Sequence, residues 1–125
     1  MSEYLLEKAA TDVQRGDDSL EHLMDVFVSE MVFVPSSSDP TSGVTPVMTM
    51  ADGATYLVVG ASPRSLRGIG SLMRFVVTLT GRQVLGGLNE DVGVMVMLES
   101  GAFGIDADLA REARAKHGIS RSASP

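Results

Sequence analysis

The sequence predicts a single α+β domain, a mixed β-sheet of about five or six strands with helices packed on its faces. Three observations point there. Apolar residues recur at helical spacing near both ends of the chain. Short β-branched runs, bounded by Gly, Pro, Ser or Asp, fill the middle. Asp52-Gly53 separates two of those runs and supplies the positive φ angles of a tight reversal.

The first helix is expected over residues 3–14, with Leu5, Leu6, Ala9 and Val13 on one side. Gly16-Asp17-Asp18 interrupts it, and either aspartate is placed to cap a second helix. There Leu20, Leu23, Met24, Phe27 and Val28 follow the i, i+3, i+4, i+7 pattern, and Glu21 lies three residues after Asp18 as in a capping box. Residues 31–34 read as a short strand ended by Pro35, and residues 36–46, SSSDPTSGVTP, as a flexible loop.

Residues 48–50 and 56–59 read as the hairpin strands around Asp52-Gly53. Ser62-Pro63 then looks like a hydroxyl N-cap followed by proline at the first helical position, opening a short helix over residues 63–69. Residues 74–79 read as another strand. Thr80 and Gln83 fit a capping box for a helix through Leu88 that directs Val84, Leu85 and Leu88 inward. Its glycine pair, Gly86-Gly87, suggests close packing against a sheet.

Residues 92–98, VGVMVML, are apolar on both alternating faces, which predicts a central strand covered on both sides. Ser100-Gly101 turns the chain into residues 102–106. Asp106 or Asp108 caps a last helix reaching about His117, with Gly118 as its C′ residue. The expected domain covers residues 1–118. Residues 119–125 form a polar tail expected to be disordered.

At 125 residues the chain is long enough to bury a core without covalent staples. Its 44% hydrophobic and 21% charged content argues against disorder over most of its length. The absence of cysteine excludes disulfides, thiolate zinc sites and thiol catalysis, and fits a reducing cytoplasm. MSEYLLEKAATDVQRGDD has no basic leader followed by an apolar core, so no secretion signal of the usual kind is expected. No apolar run approaches the ~18 residues needed to cross a bilayer. A soluble, cytoplasmic protein is expected.

The formal net charge of −6 argues against nucleic-acid binding, which needs a basic surface to displace counterions. The charge is uneven. Residues 1–30 carry eight acids against Lys8 and Arg15, while residues 55–89 contain no acid but hold Arg64, Arg67, Arg74 and Arg82. Either the two segments complement each other or the arginines form a basic face for an acidic partner or a phosphorylated ligand.

Chemistry-bearing residues have structural explanations. His22 sits on an amphipathic helix near Glu21 and Asp25 and reads as a solvent-side residue, the alternative being a metal ligand with those acids. His117 lies in a last helical turn, where a cation suits the dipole. Neither has the spacing of a zinc site. Ser62 lacks the full G-x-S-x-G elbow, because Arg64 stands at the last glycine position. Gly68-Ile69-Gly70 is only a fragment of a phosphate loop. An anion could still meet the free N–H groups of a helix opening at Ser62, with Arg64 and Arg67 beside it. Met48, Met50, Met95 and Met97 alternate on their strands. They could line a groove for an apolar partner, but interior strands favour core filling.

The order of the pieces carries a resemblance. An acidic helix runs into "VFVP", and a "PV-T---G--YL-V" hairpin runs into the Ser-Pro helix start. "TGRQVL", "VGVMVML" and a closing turn-strand-helix follow. Over about residues 20–114 this resembles the SseB-family N-terminal domain, found in bacterial proteins labelled SseB-like or type III secretion associated. The chain departs from that pattern at Val59-Gly60-Ala61, where a phenylalanine-threonine pair is common. It departs again at Glu99-Ser100-Gly101, where an asparagine-proline turn is common. The resemblance implies the fold and a bacterial, non-enzymatic setting.

The expected function is therefore a non-enzymatic protein-interaction module of SseB-like type. Its acidic helical face, or a face of Arg64, Arg67 and Arg74, would meet a protein partner. The alternatives are a small-ligand or anion-binding domain using Ser62, Arg64, Arg67 and Arg74, and a toxin-neutralising immunity protein. No catalytic residue, metal or cofactor is expected, nor a nucleic-acid or membrane partner; a homodimer is left open.

Overall fold

Two amphipathic helices lead into the sheet in the computed structural model, which describes residues 5–39, 41, 46–67, 75–99 and 101–119. Helix α1 (Leu5–Gln14) buries Leu6, Ala9 and Ala10, while Leu5 stays exposed. Helix α2 (Leu20–Ser29) buries Leu23, Met24, Phe27 and Val28. Its cap is Ser19, not an aspartate: the Ser19 hydroxyl accepts the His22 N–H at 3.1 Å. Asp18 lies one residue too early to cap. Its carboxylate instead accepts the Ser19 N–H at 2.8 Å and pairs with the His22 ring. The expected Asp18–Glu21 capping box is thereby replaced.

Strand β1 (Met31–Ser36) runs through Pro35 instead of ending before it. The reason lies in the antiparallel ladder between β1 and β4 (Phe75–Thr80). The Gly81 N–H donates to the Glu30 carbonyl in the same register. Alternation from that pair turns the backbone groups of Val32, Val34 and Ser36 toward β4 and those of Phe33 and Pro35 away. The missing proline N–H therefore costs no β1–β4 bond.

Strands β2 (Met48–Ala51) and β3 (Ala54–Gly60) form the expected hairpin, with Asp52 at φ 52° and Gly53 at φ 79°. Residues 40 and 42–45 of the predicted loop, Arg74, Ser100 and residues 120–125 lie outside the described residues, as do residues 68–70. Residues 64–67 form one 3-10 turn where a short helix was expected.

Helix α3 (Gly81–Gly86) has the predicted Thr80–Gln83 capping box. It stops two residues short of Leu88, whose N–H tightens onto the Leu85 carbonyl in an i→i−3 bond. Gly87 has only ordinary contact distances, whereas a close approach lies at Gly81. A Cβ there would lie 1.8 Å from the Phe27 carbonyl oxygen, so α3 packs mainly on α2. Strands β5 (Val92–Leu98) and β6 (Gly101–Ile105) precede α4 (Ala107–His117). Asp106 caps α4 by accepting the Leu109 N–H at 2.8 Å, and Gly118 closes it at φ 63°.

The strands make one six-stranded mixed sheet in the order β4-β1-β3-β5-β6, with β2 also on β3. Only β3 and β5 run parallel. Their register puts Leu57 and Val59 beside Val94 and Val96, on the face that packs with all four helices in one core. The opposite face presents Val58, Gly60, Met95 and Met97. Leu66 folds over Gly60 there; a Cβ on Gly60 would lie 2.6 Å from its Cγ. β5 is central as expected, but Met95 and Met97 remain half-buried, because the helices gather on the other side. No helix among the described residues is long and apolar enough to cross a membrane.

Candidate functional site

Ser62 is buried at the carboxyl end of β3, and its hydroxyl donates to Glu7 Oε2 at 2.6 Å. The same carboxylate accepts the Glu99 N–H at 3.2 Å, at the end of β5. A carboxylate of the chain itself thus meets the Ser62 hydroxyl, where sequence reasoning placed an anion. The turn is closed from within: the Ser62 carbonyl accepts the Ser65 hydroxyl at 2.6 Å and the Ser65 N–H at 3.2 Å.

Arg64 and Arg67 project from this turn beside a cleft of about 630 Å³, also lined by Met97, Glu99 and Ala102. Arg64 Nη1 stands 3.9 Å from Glu99 Oε1 across exposed surface. The structure brings Ser62, Arg64 and Arg67 into one region; Arg74 lies outside the described residues.

A second concavity was not legible in the sequence. Helix α2 packs on α1 and α3, whereas α4 lies on β5, which leaves a groove of about 370 Å³ between α2 and α4. Leu20, Met24, Leu109 and Ala113 line it, with Glu21, Glu112, Lys116 and His117 at its rim. Leu20 was expected to face the core but is 48% exposed. The helix pattern of α4 contained a signal. Its inward residues are Leu109, Ala110, Ala113 and Arg114; Arg114 reaches away to the Leu85 carbonyl, and Ala113, which lines the groove, is too short to fill the gap to a neighbouring helix.

Ion pairs cross the groove. Lys116 Nζ donates to Glu21 Oε1 at 2.9 Å and to Asp25 Oδ1 at 3.0 Å, while His117 Nε2 lies 3.0 Å from Asp25 Oδ1. The Lys116 hydrogen bond, with His117 adding to it, lowers the Asp25 carboxyl below its ordinary value. Hydrogen bonds to Glu21 and Asp25 raise Lys116 above the usual lysine value. Among the described residues, Glu21 and Asp25 of α2 are therefore complemented by α4 and not by the arginine segment.

His22 is exposed and pairs with Asp18, lowering that carboxyl through their hydrogen bond and the Ser19 N–H. No group of three or more His, Asp or Glu arranged to hold a metal occurs among the described residues. The methionines correct an expectation: Met48 and Met50 do not fill the core. β2 is an edge strand, and Met50 is 70% exposed. Met48 pairs with Leu57 on the helix side of the sheet, while Met95 pairs with Val58 on the other. The four do not line one groove.

Comparison with protein-family models, curated proteins and solved structures finds no match.

Proposed function

We propose that this domain is a non-enzymatic, cytoplasmic protein-interaction module of SseB-like type, receiving an apolar, basic segment of a partner protein between α2 and α4. The observation that carries it is Leu20, 48% exposed at the mouth of a groove whose other apolar residues are Met24, Leu109 and Ala113. Two helices flanking an apolar trough suit an amphipathic helix laid between them. Charge selects its sign. Glu21, Asp25 and Glu112 outnumber Lys116 around the groove, within a chain of net charge −6. A basic segment is steered toward such a surface and an acidic one is repelled. The SseB-like order of elements supports an interaction role, and a toxin-neutralising immunity protein would use the same acidic face.

The test is an NMR titration of the intact chain with synthetic amphipathic peptides bearing lysines or glutamates on their polar face. Saturable shifts at Leu20, Met24, Leu109 and Ala113 with the lysine peptide alone are expected. Shifts elsewhere, or equal response to both peptides, would refute the groove.

A second reading rests on Arg64 and Arg67 beside the larger cleft, at the carboxyl ends of the parallel β3–β5 pair. There the domain would bind a small anionic ligand through the arginines, without the Ser62 hydroxyl. A thermal-shift screen against phosphate and citrate separates this reading, since a ligand at a hundred times its Kd adds about 2.7 kcal/mol of stability.

A further inference from the structure

Strand β4 is an outer strand of the sheet, and no strand among the described residues pairs along its other side. Its sequence, FVVTLT, is uncharged, and all of its residues but Leu79 are strong strand formers. Natural edges are usually blunted by charge, proline or a bulge. This one has none of these between Phe75 and Thr80.

The ladder with β1 fixes which backbone groups are free. The Gly81 N–H bonds to Glu30, so alternation directs the groups of Phe75, Val77 and Leu79 toward β1. Those of Val76, Thr78 and Thr80 point outward. Thr80 is already used: its N–H donates to Gln83 Oε1 at 2.9 Å. The open edge therefore consists of the N–H and C=O of Val76 and of Thr78, placed symmetrically about Val77.

That arrangement is complementary to itself. An antiparallel second copy related by a two-fold axis at Val77 sets Val76 opposite Thr78 of the other chain. All four outward groups of each chain are then paired, in four hydrogen bonds. The same register sets Phe75 opposite Leu79 on the helix side, and the exposed Val76 opposite Thr78 on the other. The Gln83 cap stops the pairing from sliding toward α3.

We infer that the chain self-associates through β4, forming a continuous twelve-stranded sheet across a two-fold axis at Val77. An interface built on one short strand lies at the small end of stable contacts, so the dimer is a weak one. It is independent of the α2–α4 groove, none of whose lining residues lies on β4.

The test is sedimentation of the full chain over a concentration series, paired with amide hydrogen exchange. Dimerisation is expected, with the Val76 and Thr78 amides at least about tenfold better protected at high concentration. Val77 and Leu79, bonded to β1, stay protected throughout. Thr78→Pro removes an outward donor and no β1–β4 bond, so it yields a folded monomer; Val76→Lys does the same through the exposed side chain. A monomer up to about 1 mM overturns the inference. So does a dimer that survives both substitutions, or protection of these amides only when a foreign protein is added.

Discussion

The Glu7 carboxylate accepts the hydroxyl of Ser62, 55 residues away, at 2.6 Å, and also accepts the N–H of Glu99. One side chain of α1 thus ties together the carboxyl ends of β3 and β5, the sheet's parallel pair. Hydrogen bonds to a charged acceptor are worth more than neutral ones, about 1.5–3 kcal/mol. Ser62 belongs to this clasp and is hidden from solvent.

Ser62→Ala should lower stability to urea by about 1–2 kcal/mol, because Glu7 keeps its bond to Glu99. Glu7→Ala should cost more, and the pair should couple in a double-mutant cycle. Additive effects would show that the contact is not formed in solution.

Glycines at the two ends of α3 should behave oppositely. Gly81→Ala drives a Cβ into the Phe27 carbonyl, so stability should fall by about 2 kcal/mol or more. Gly87→Ala meets nothing closer than 3.6 Å and should change stability by less than about 0.5 kcal/mol. Denaturant melts of the two variants check both expectations.

The edge position of β2 makes Met50→Lys nearly neutral, within about 0.5 kcal/mol. Leu85→Ala, at a fully buried site, should cost about 2–5 kcal/mol by the same measurement. A large cost for Met50→Lys would return that strand to the interior.

Bridging of α2 to α4 has a defined pH window. Asp25 is lowered from 3.8, so its contribution is complete above the unfolded value and lost as pH falls through the lower folded one. Lys116 is raised from 10.5, so its contribution is complete below that value and lost as pH rises through the higher folded one. The Asp25 carboxyl and the Lys116 ammonium should therefore both stay ionised from about pH 5 to about pH 9, with their own titrations, followed by NMR, falling outside that window. A transition of the Asp25 carboxyl above its ordinary value would contradict the bridge.

Local signals in the chain were legible where one residue type answers one backbone need. Asp52-Gly53, the Thr80–Gln83 box and the Asp106 and Gly118 ends all act as their chemistry dictates. What escaped were decisions made by neighbours distant in sequence. Pro35 stays in a strand because its unbonded side faces away from β4. The Ser62 hydroxyl turns to Glu7 because α1 arrives beside it. Leu20 is exposed because α4 carries Ala113 where a longer side chain would close the gap. The arginine region was visible as a charge pattern, whereas the groove depends on a tertiary spacing that no local pattern encodes.

The most direct test of groove binding is calorimetry of the lysine-bearing amphipathic peptide with Leu20→Asp beside the unaltered chain. Aspartate in the first turn of α2 suits the helix dipole, so the fold should survive. Affinity should fall at least about tenfold in Leu20→Asp, a loss of about 1.4 kcal/mol, and stay unchanged in Met50→Lys. Equal affinity in Leu20→Asp and the unaltered chain would show that the partner segment does not enter between α2 and α4.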